Sequence, residues 1–163
     1  MKLQELIAQT ELDMTPSQIK AFFLGFINAE RPMPFAKALE EMVSETPEVA
    51  EKLGPELKIL WDELVKNKTS ELQKLFPESG DLKVFLGTAK DQLDFYLTAL
   101  SLSGTNTETC KNEDMAELID ELEDTVMDMD EYLSETDPDI DEGEEIKDLM
   151  LEAWHEYLVV SAK

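Results

Sequence analysis

Apolar residues recur along this chain mostly at intervals of three and four, the spacing of one face of an α-helix. At the N-terminus, Leu3, Leu6 and Ile7 predict a short amphipathic helix. No segment has the pattern of a β-strand. The sequence therefore predicts an all-α protein, a single-domain multi-helix bundle over residues 1–163.

The segment QIKAFFLGFINA (18–29) is apolar on nearly all sides, which predicts a central helix. Thr15, Pro16 and Gln18 have the order of an N-cap, a first helical residue and a capping-box partner. Gly25 lies inside this helix, where glycine costs about 1 kcal/mol relative to alanine. We therefore expect another backbone to pack closely at Gly25.

Prolines divide the next part of the chain. Pro32 and Pro34 are expected to end the central helix, and Pro34 to be the first residue of the next one. Thr46–Pro47 repeats this cap-and-proline start, and Gly54–Pro55 predicts a further break. Two later apolar sets are predicted to face the core: Leu57, Leu60, Trp61 and Leu64, then Leu72, Leu75 and Phe76.

The stretch FPESGDLKVF is the clearest internal break, since proline, serine, glycine and aspartate together mark a turn. We expect it to join two halves of one domain, residues 1–77 and 82–163, through a turn around 77–81. The segment QLDFYLTALSLS (92–103) resembles the central helix of the first half. The two halves are therefore predicted to be weakly similar.

Two acidic amphipathic helices are predicted in the C-terminal third, over residues 112–133 and 145–162. Each has apolar residues on one side and carboxylates on the other. Because a loop of modest length joins them, we expect them to pack as an antiparallel pair.

The net charge of −24 excludes several classes of function. So negative a chain repels nucleic acid and anionic membranes, so we expect neither to be bound directly. No apolar run is long enough to span a membrane, and no signal peptide is recognisable. A single cysteine allows no intramolecular disulfide, which is compatible with the predicted cytoplasmic location.

The charge is concentrated towards the C-terminus. Residues 1–107 contain 17 acidic and 11 basic residues, a net charge of −6, whereas residues 108–163 contain 21 and three, a net charge of −18. Like charges four residues apart destabilise a helix by a few tenths of a kcal/mol per pair. We interpret eight residues of the first acidic helix as a partner-binding face: Glu113, Asp114, Glu117, Asp120, Glu121, Asp124, Asp128 and Glu131. Solubility alone is the alternative explanation.

Between the two acidic helices, the stretch TDPDIDEGEEIKD partly matches a calcium-binding EF-hand loop. Asp137, Asp139 and Asp141 occupy the first, third and fifth positions, and Asp148 stands in place of the bidentate glutamate. However, a glutamate occupies the position that requires glycine. A divalent-cation site in residues 137–148 is therefore the alternative function, and a solvated loop is the simpler interpretation.

Catalytic chemistry has little support. His155 is the only histidine, and Glu152 with His155 supplies one Glu-x-x-His motif where a di-iron bundle needs two. Cys110 lies in a polar loop without a partner base. We expect a protein that is not an enzyme and has no cofactor. Met115, Met127, Met129 and Met150 are expected to fill the core rather than line a groove.

The order of these segments resembles the YgfB/YecA-like family of small uncharacterised bacterial proteins. MTPSQIKAFFLGFINA is similar to that family's opening helix, and LFPESGDLKVF, QLDFYLTALSLSG and the two acidic helices follow its order and spacing. The resemblance covers roughly residues 12–162. It implies an all-helical bacterial cytoplasmic protein without an established enzyme activity. The cysteine-rich metal-binding segment of some longer relatives is not present in this sequence, so their zinc binding is not implied.

These observations predict a non-enzymatic acidic regulatory protein that docks a basic partner, with a nucleic-acid-binding regulator as the expected class. A stricter form of this hypothesis is that the carboxylates imitate the phosphate backbone of DNA. It requires carboxylates spaced like phosphates along a surface, and the sequence does not give that spacing. The oligomeric state stays open, and a homodimer is allowed because an apolar stripe could be shared between two chains.

Overall fold

The computed structural model describes residues 3–43, 47–76 and 80–162, and it contains helices but no strands in these ranges. The predicted all-α multi-helix bundle is therefore confirmed. Thr46 and most of the predicted turn at 77–81 lie outside the described residues. In chain order the helices are α1 (Leu3–Ala8), α2 (Pro16–Ile27), α3 (Phe35–Val43), α4 (Pro47–Lys66), α5 (Lys68–Gln73), α6 (Leu82–Leu102), α7 (Glu113–Ser134) and α8 (Ile140–Ser161).

Helix α2 begins at the predicted capping box. Thr15 Oγ1 accepts a hydrogen bond from the Gln18 backbone N–H at 3.2 Å, and Gln18 Oε1 accepts one from the Thr15 N–H at 3.0 Å. Every residue of the run 21–27 is buried. This helix is central because α4, α5 and α6 all pack against it.

Helices α2 and α6 approach each other most closely at Gly25. A Cβ atom at this position would lie 2.6 Å from Ala99 Cβ and would also collide with the Tyr96 carbonyl oxygen. The predicted close approach of another backbone at Gly25 is therefore confirmed, and that backbone belongs to α6. The two segments whose sequences resemble each other thus pack together.

The C-terminal helices complete the bundle. Helix α7 packs against both α6 and α8, and the short connection 135–139 turns the chain back so that α8 runs antiparallel along α7. Gly143 permits the close approach at this end, because a Cβ there would lie 2.5 Å from the Tyr132 hydroxyl oxygen. One hydrophobic core contains buried side chains from all eight helices.

Two local predictions were wrong. Gly54–Pro55 does not interrupt the chain, since α4 continues from Pro47 to Lys66. Pro55 is exposed, whereas Leu53 and Leu57 on either side of it are fully buried. Burial of this stripe outweighs the roughly 3 kcal/mol that an internal proline costs.

The start of α3 also differs from the prediction. The helix begins at Phe35 rather than Pro34, and the Pro34 carbonyl accepts hydrogen bonds from the N–H groups of Lys37 and Ala38 at 3.1 Å each. Pro34 therefore precedes the first helical residue. No described helix is long and apolar enough to cross a membrane.

Replacing Gly25 by alanine tests the α2–α6 contact. The added methyl group forces the two backbones apart, and overpacking of this kind costs typically 1–3 kcal/mol, against about 1 kcal/mol gained in helix propensity. We expect Gly25→Ala to lower the free energy of unfolding by about 1 kcal/mol in urea denaturation, the difference between these two effects. Gly87→Ala in α6 is the matched control, because a Cβ there meets nothing within 4 Å. Equal stability of the two variants would contradict the close contact.

Candidate functional site

All eight carboxylates of the predicted partner-binding face are exposed on α7. At 100° per residue they fall within an arc of about 120°, roughly a third of the helix circumference. We call this set the acidic face: Glu113, Asp114, Glu117, Asp120, Glu121, Asp124, Asp128 and Glu131.

The opposite side of α7 fixes the helix in the bundle. Its side chains are buried because the apolar residues repeat every three or four positions. The main anchors have exposures of 7% or less: Met115, Leu118, Ile119, Leu122 and Met129. The acidic face is therefore held on a rigid element about 33 Å long, at 1.5 Å per residue.

None of the eight carboxylates has an ion pair with a described residue. Two nearby lysines are engaged elsewhere. Lys90 of α6 pairs with Asp130 at 2.9 Å, and Asp130 lies outside the arc. Lys147 of α8 lies over the Phe85 ring, with its Nζ 4.6 Å from the ring centroid. Within residues 3–43, 47–76 and 80–162, no cation therefore pairs with the acidic face.

Repulsion among carboxylates extends to the flank of α7. Burial raises the pKa of the Glu123 carboxyl, and the charges of Asp120 and Asp124 raise it further. Burial likewise raises the pKa of the Asp94 carboxyl on α6. Lys90 lowers this pKa, and the charges of Asp91 and Asp130 raise it.

Neither Glu123 nor Asp130 was among the residues predicted for the acidic face. Helical spacing places both residues beside the arc, so their negative charges add to those of the acidic face.

The structure does not assemble the predicted cation site. Asp137, Asp139, Asp141 and Asp148 are all exposed, but α8 begins at Ile140, so the predicted loop is helical from there onward. Asp141 and Asp148 are separated by about 10 Å along the helix axis, because each residue rises 1.5 Å.

Asp139 has a structural role instead. It is the N-cap of α8, and its Oδ1 accepts a hydrogen bond from the Asp141 N–H at 3.0 Å. In the described ranges, no three His, Cys, Asp or Glu side chains are grouped so that they could hold a metal ion. The predicted loop is shorter than expected: residues 137–139 are not helical, but α8 begins at Ile140 rather than at Glu145. Acidic residues in the first turn of a helix are stabilised by its N-terminal partial charge, which favours this earlier start.

The candidate catalytic residues are dispersed. His155 and Glu152 are exposed on α8, and Cys110 is half-buried in the loop after α6. Burial raises the pKa of the Cys110 thiol, and Glu30 raises it further, which disfavours the nucleophilic thiolate. Trp154 is buried in the core, and its Nε1–H donates to the Leu72 carbonyl at 3.1 Å. Met127 departs from the core-filling prediction, because it is 68% exposed.

The structure contains a buried polar cluster that the hydrophobic pattern did not predict. The hydroxyls of Tyr96 and Tyr157 lie 2.6 Å apart, and Asn28 Nδ2 donates to them at 2.8 Å and 3.4 Å respectively. The three residues come from the end of α2, from α6 and from α8. An asparagine at the end of an apolar helix and tyrosines within apolar helices were the available signals, since buried tyrosine hydroxyls need partners.

Comparison of this chain with protein-family models, with curated proteins and with solved structures finds no match. The resemblance to the YgfB/YecA-like family therefore stays a prediction.

Salt should stabilise this protein. Raising NaCl from about 0.02 M to about 0.5 M screens the repulsion among exposed carboxylates, so we expect the Tm to rise in thermal unfolding followed by circular dichroism. Acidification from neutral to weakly acidic pH should also raise the Tm. The raised pKa values of Glu123 and Asp94 mean that their contribution to stability is present at low pH and is lost as pH rises through the folded pKa. Asp120→Asn with Asp124→Asn should reduce the salt dependence, and a Tm independent of salt would contradict this account.

The tyrosine pair should make stability sensitive to alkali. Burial raises the pKa of Tyr157 to about 12 and holds that of Tyr96 well above its usual range. Because an unfolded tyrosine titrates near pH 10, the neutral pair stabilises the fold fully below about pH 10, and this contribution is lost as pH rises to about 12. Removing one hydroxyl by Tyr157→Phe should cost about 1 kcal/mol in urea unfolding at neutral pH, a difference that shrinks in alkali. The ionisation of the tyrosines can be followed by tyrosinate absorbance. If all three tyrosines of the folded protein ionised near pH 10, that result would contradict the burial of the pair.

Proposed function

We propose that this chain is a non-enzymatic protein that binds a basic protein partner through the acidic face of α7. The observation that carries the proposal is the set of eight exposed carboxylates without an ion pair among the described residues. A nucleic-acid-binding regulator is the expected partner class, because such proteins present patches or stripes of Lys and Arg.

The electrostatics of the acidic face support binding rather than solubility alone. A solvated face usually mixes charges, and opposite charges at i,i+4 would stabilise α7. Here, Glu113, Glu117 and Glu121 follow one another at intervals of four, and so do Asp120, Asp124 and Asp128. The helix accepts this repulsion, which a basic partner would relieve on binding. Complementary charge also speeds association and makes it sensitive to salt.

The rigidity of α7 supports the same proposal. Its buried side is anchored against α6 and α8, so the carboxylates keep their relative positions before a partner arrives. A preorganised surface loses less conformational entropy on binding than a flexible one. Met127 is exposed beside the arc and offers an apolar contact next to the charges. The sequence resembles a family of bacterial proteins without an established enzyme activity, and this resemblance is compatible with a binding role.

Charge reversal at the centre of the acidic face tests the proposal. The variant Asp120→Lys, Glu121→Lys, Asp124→Lys should retain its circular dichroism spectrum, because all three side chains are exposed. Its affinity for a partner isolated by nuclease-treated pull-down should fall by roughly tenfold or more, as measured by calorimetry.

The matched control is Glu40→Lys, Glu41→Lys, Glu51→Lys, which makes the same change in net charge at exposed positions on α3 and α4. This control should keep most of the affinity. If both variants lose affinity equally, the partner responds only to net charge. If neither loses affinity, α7 is not the binding surface.

A further inference from the structure

A cleft of about 810 Å³ opens at the end of the bundle where α2 ends and α7 begins. Its walls come from five parts of the chain: the segment 27–32, the first residue of α5, the loop between α6 and α7, Met115 in the first turn of α7, and the end of α8. The volume lies within the range of about 300–1,000 Å³ that is usual for small-molecule sites.

Three basic side chains, Arg31, Lys68 and Lys111, line this cleft. Arg31 is the only arginine of the chain, and only 14 of the 163 residues are basic. None of the three forms an ion pair with a described carboxylate. Glu30 is the one carboxylate of the lining, which leaves a local net charge of +2 in a strongly acidic protein.

Two buried polar residues, Asn28 and Thr105, are among those that line the cleft. Thr105 is 2% exposed; its Oγ1 accepts a hydrogen bond from the Glu30 N–H at 3.1 Å, and no described residue accepts its hydroxyl hydrogen. Asn28 is 9% exposed, and it donates to the two tyrosine hydroxyls through Nδ2. A threonine hydroxyl can donate one hydrogen bond as well as accept, so Thr105 has a donor that no described residue uses.

The loop that contributes Thr105 and Lys111 is held in place before any ligand arrives. Gly104 adopts a left-handed conformation with φ of 87°, and the Thr105 N–H donates to the Leu100 carbonyl at 2.8 Å. Glu30 Oε1 accepts a hydrogen bond from the Lys111 N–H at 3.0 Å. The backbone at Lys111 is thus tied to the segment that carries Arg31.

We propose that this cleft is a binding site for a small polyanion, a metabolite that carries several phosphate or carboxylate oxygens. Guanidinium binds such groups through paired hydrogen bonds, and the two lysines supply further charge around them. The hydroxyl and amide groups of the lining suit a polar body. This inference is independent of the proposed function, because no residue of the acidic face lines the cleft.

The net charge of −24 does not prevent binding of a small anion. At physiological ionic strength exposed charges are screened beyond about 8 Å, so the groups lining the cleft dominate inside it. The overall charge instead disfavours long polyanions such as nucleic acid, which would extend from the cleft over the acidic surface. The site therefore selects small ligands.

Calorimetry with inorganic pyrophosphate and with citrate at an ionic strength of about 0.15 M, where the distant carboxylates are screened, tests the proposal. We expect one-to-one binding of at least one probe and a rise in Tm with its concentration. The probe that binds more tightly shows whether the cleft prefers phosphate or carboxylate oxygens. The variant Arg31→Gln, Lys68→Gln, Lys111→Gln should weaken binding by about tenfold or more.

The control variant is Lys37→Gln, Lys52→Gln, Lys83→Gln, which removes the same charge from exposed lysines outside the cleft. It should bind nearly as tightly as the unmodified chain. Absence of heat and of a Tm shift with both probes would overturn the proposal. Equal weakening by the two triple variants would overturn it as well, because binding would then follow net charge alone. A separate Tm measurement without probe shows that each variant is folded.

Discussion

The contact between α2 and α6 at Gly25 sets the geometry on which the rest of the bundle depends. Because this residue has no side chain, the α2 backbone lies directly against Tyr96 and Ala99. The close approach brings Asn28, one turn further along, within hydrogen-bonding distance of the Tyr96 hydroxyl. Tyr157 of α8 joins the same cluster, so the C-terminal helix is positioned by the central pair. A wider spacing would leave these buried polar groups unpaired, at a cost of about 1–3 kcal/mol for each.

Around this core the charges are strongly segregated. The carboxylates of α7 face solvent without ion pairs to described residues, while Lys90 and Lys147 are held by Asp130 and by the Phe85 ring. Next to the start of α7, Arg31, Lys68 and Lys111 share one cleft. Burial of the apolar side of α7 stabilises the helix by more than the repulsion on its exposed side costs, since each like-charge pair is worth only a few tenths of a kcal/mol.

Local patterns succeeded where one segment contains all the relevant information. The capping box at Thr15, the amphipathic form of α7 and the exposure of its eight carboxylates follow from spacing alone. They failed where local and tertiary preferences compete. Pro55 continues a helix because Leu53 and Leu57 are both buried, and Asp139 caps α8 although its neighbours resemble a calcium loop. Leu149 lies three residues after Ile146 and one before the buried Met150, yet it is 52% exposed, so apolar character alone does not decide burial on α8.

The sequence by itself determined the helical class, the central place of α2, the need for a close neighbour at Gly25 and the acidic face. Each is a property of residues that are near one another in the chain, where periodicity and capping act. Only the tertiary structure decided that α6 is the neighbour, that Asn28, Tyr96 and Tyr157 form one hydrogen-bonded cluster, and that three distant cations line one cleft. Such groupings depend on how the helices pack, because residues dozens of positions apart meet only when their helices are fixed against a common core.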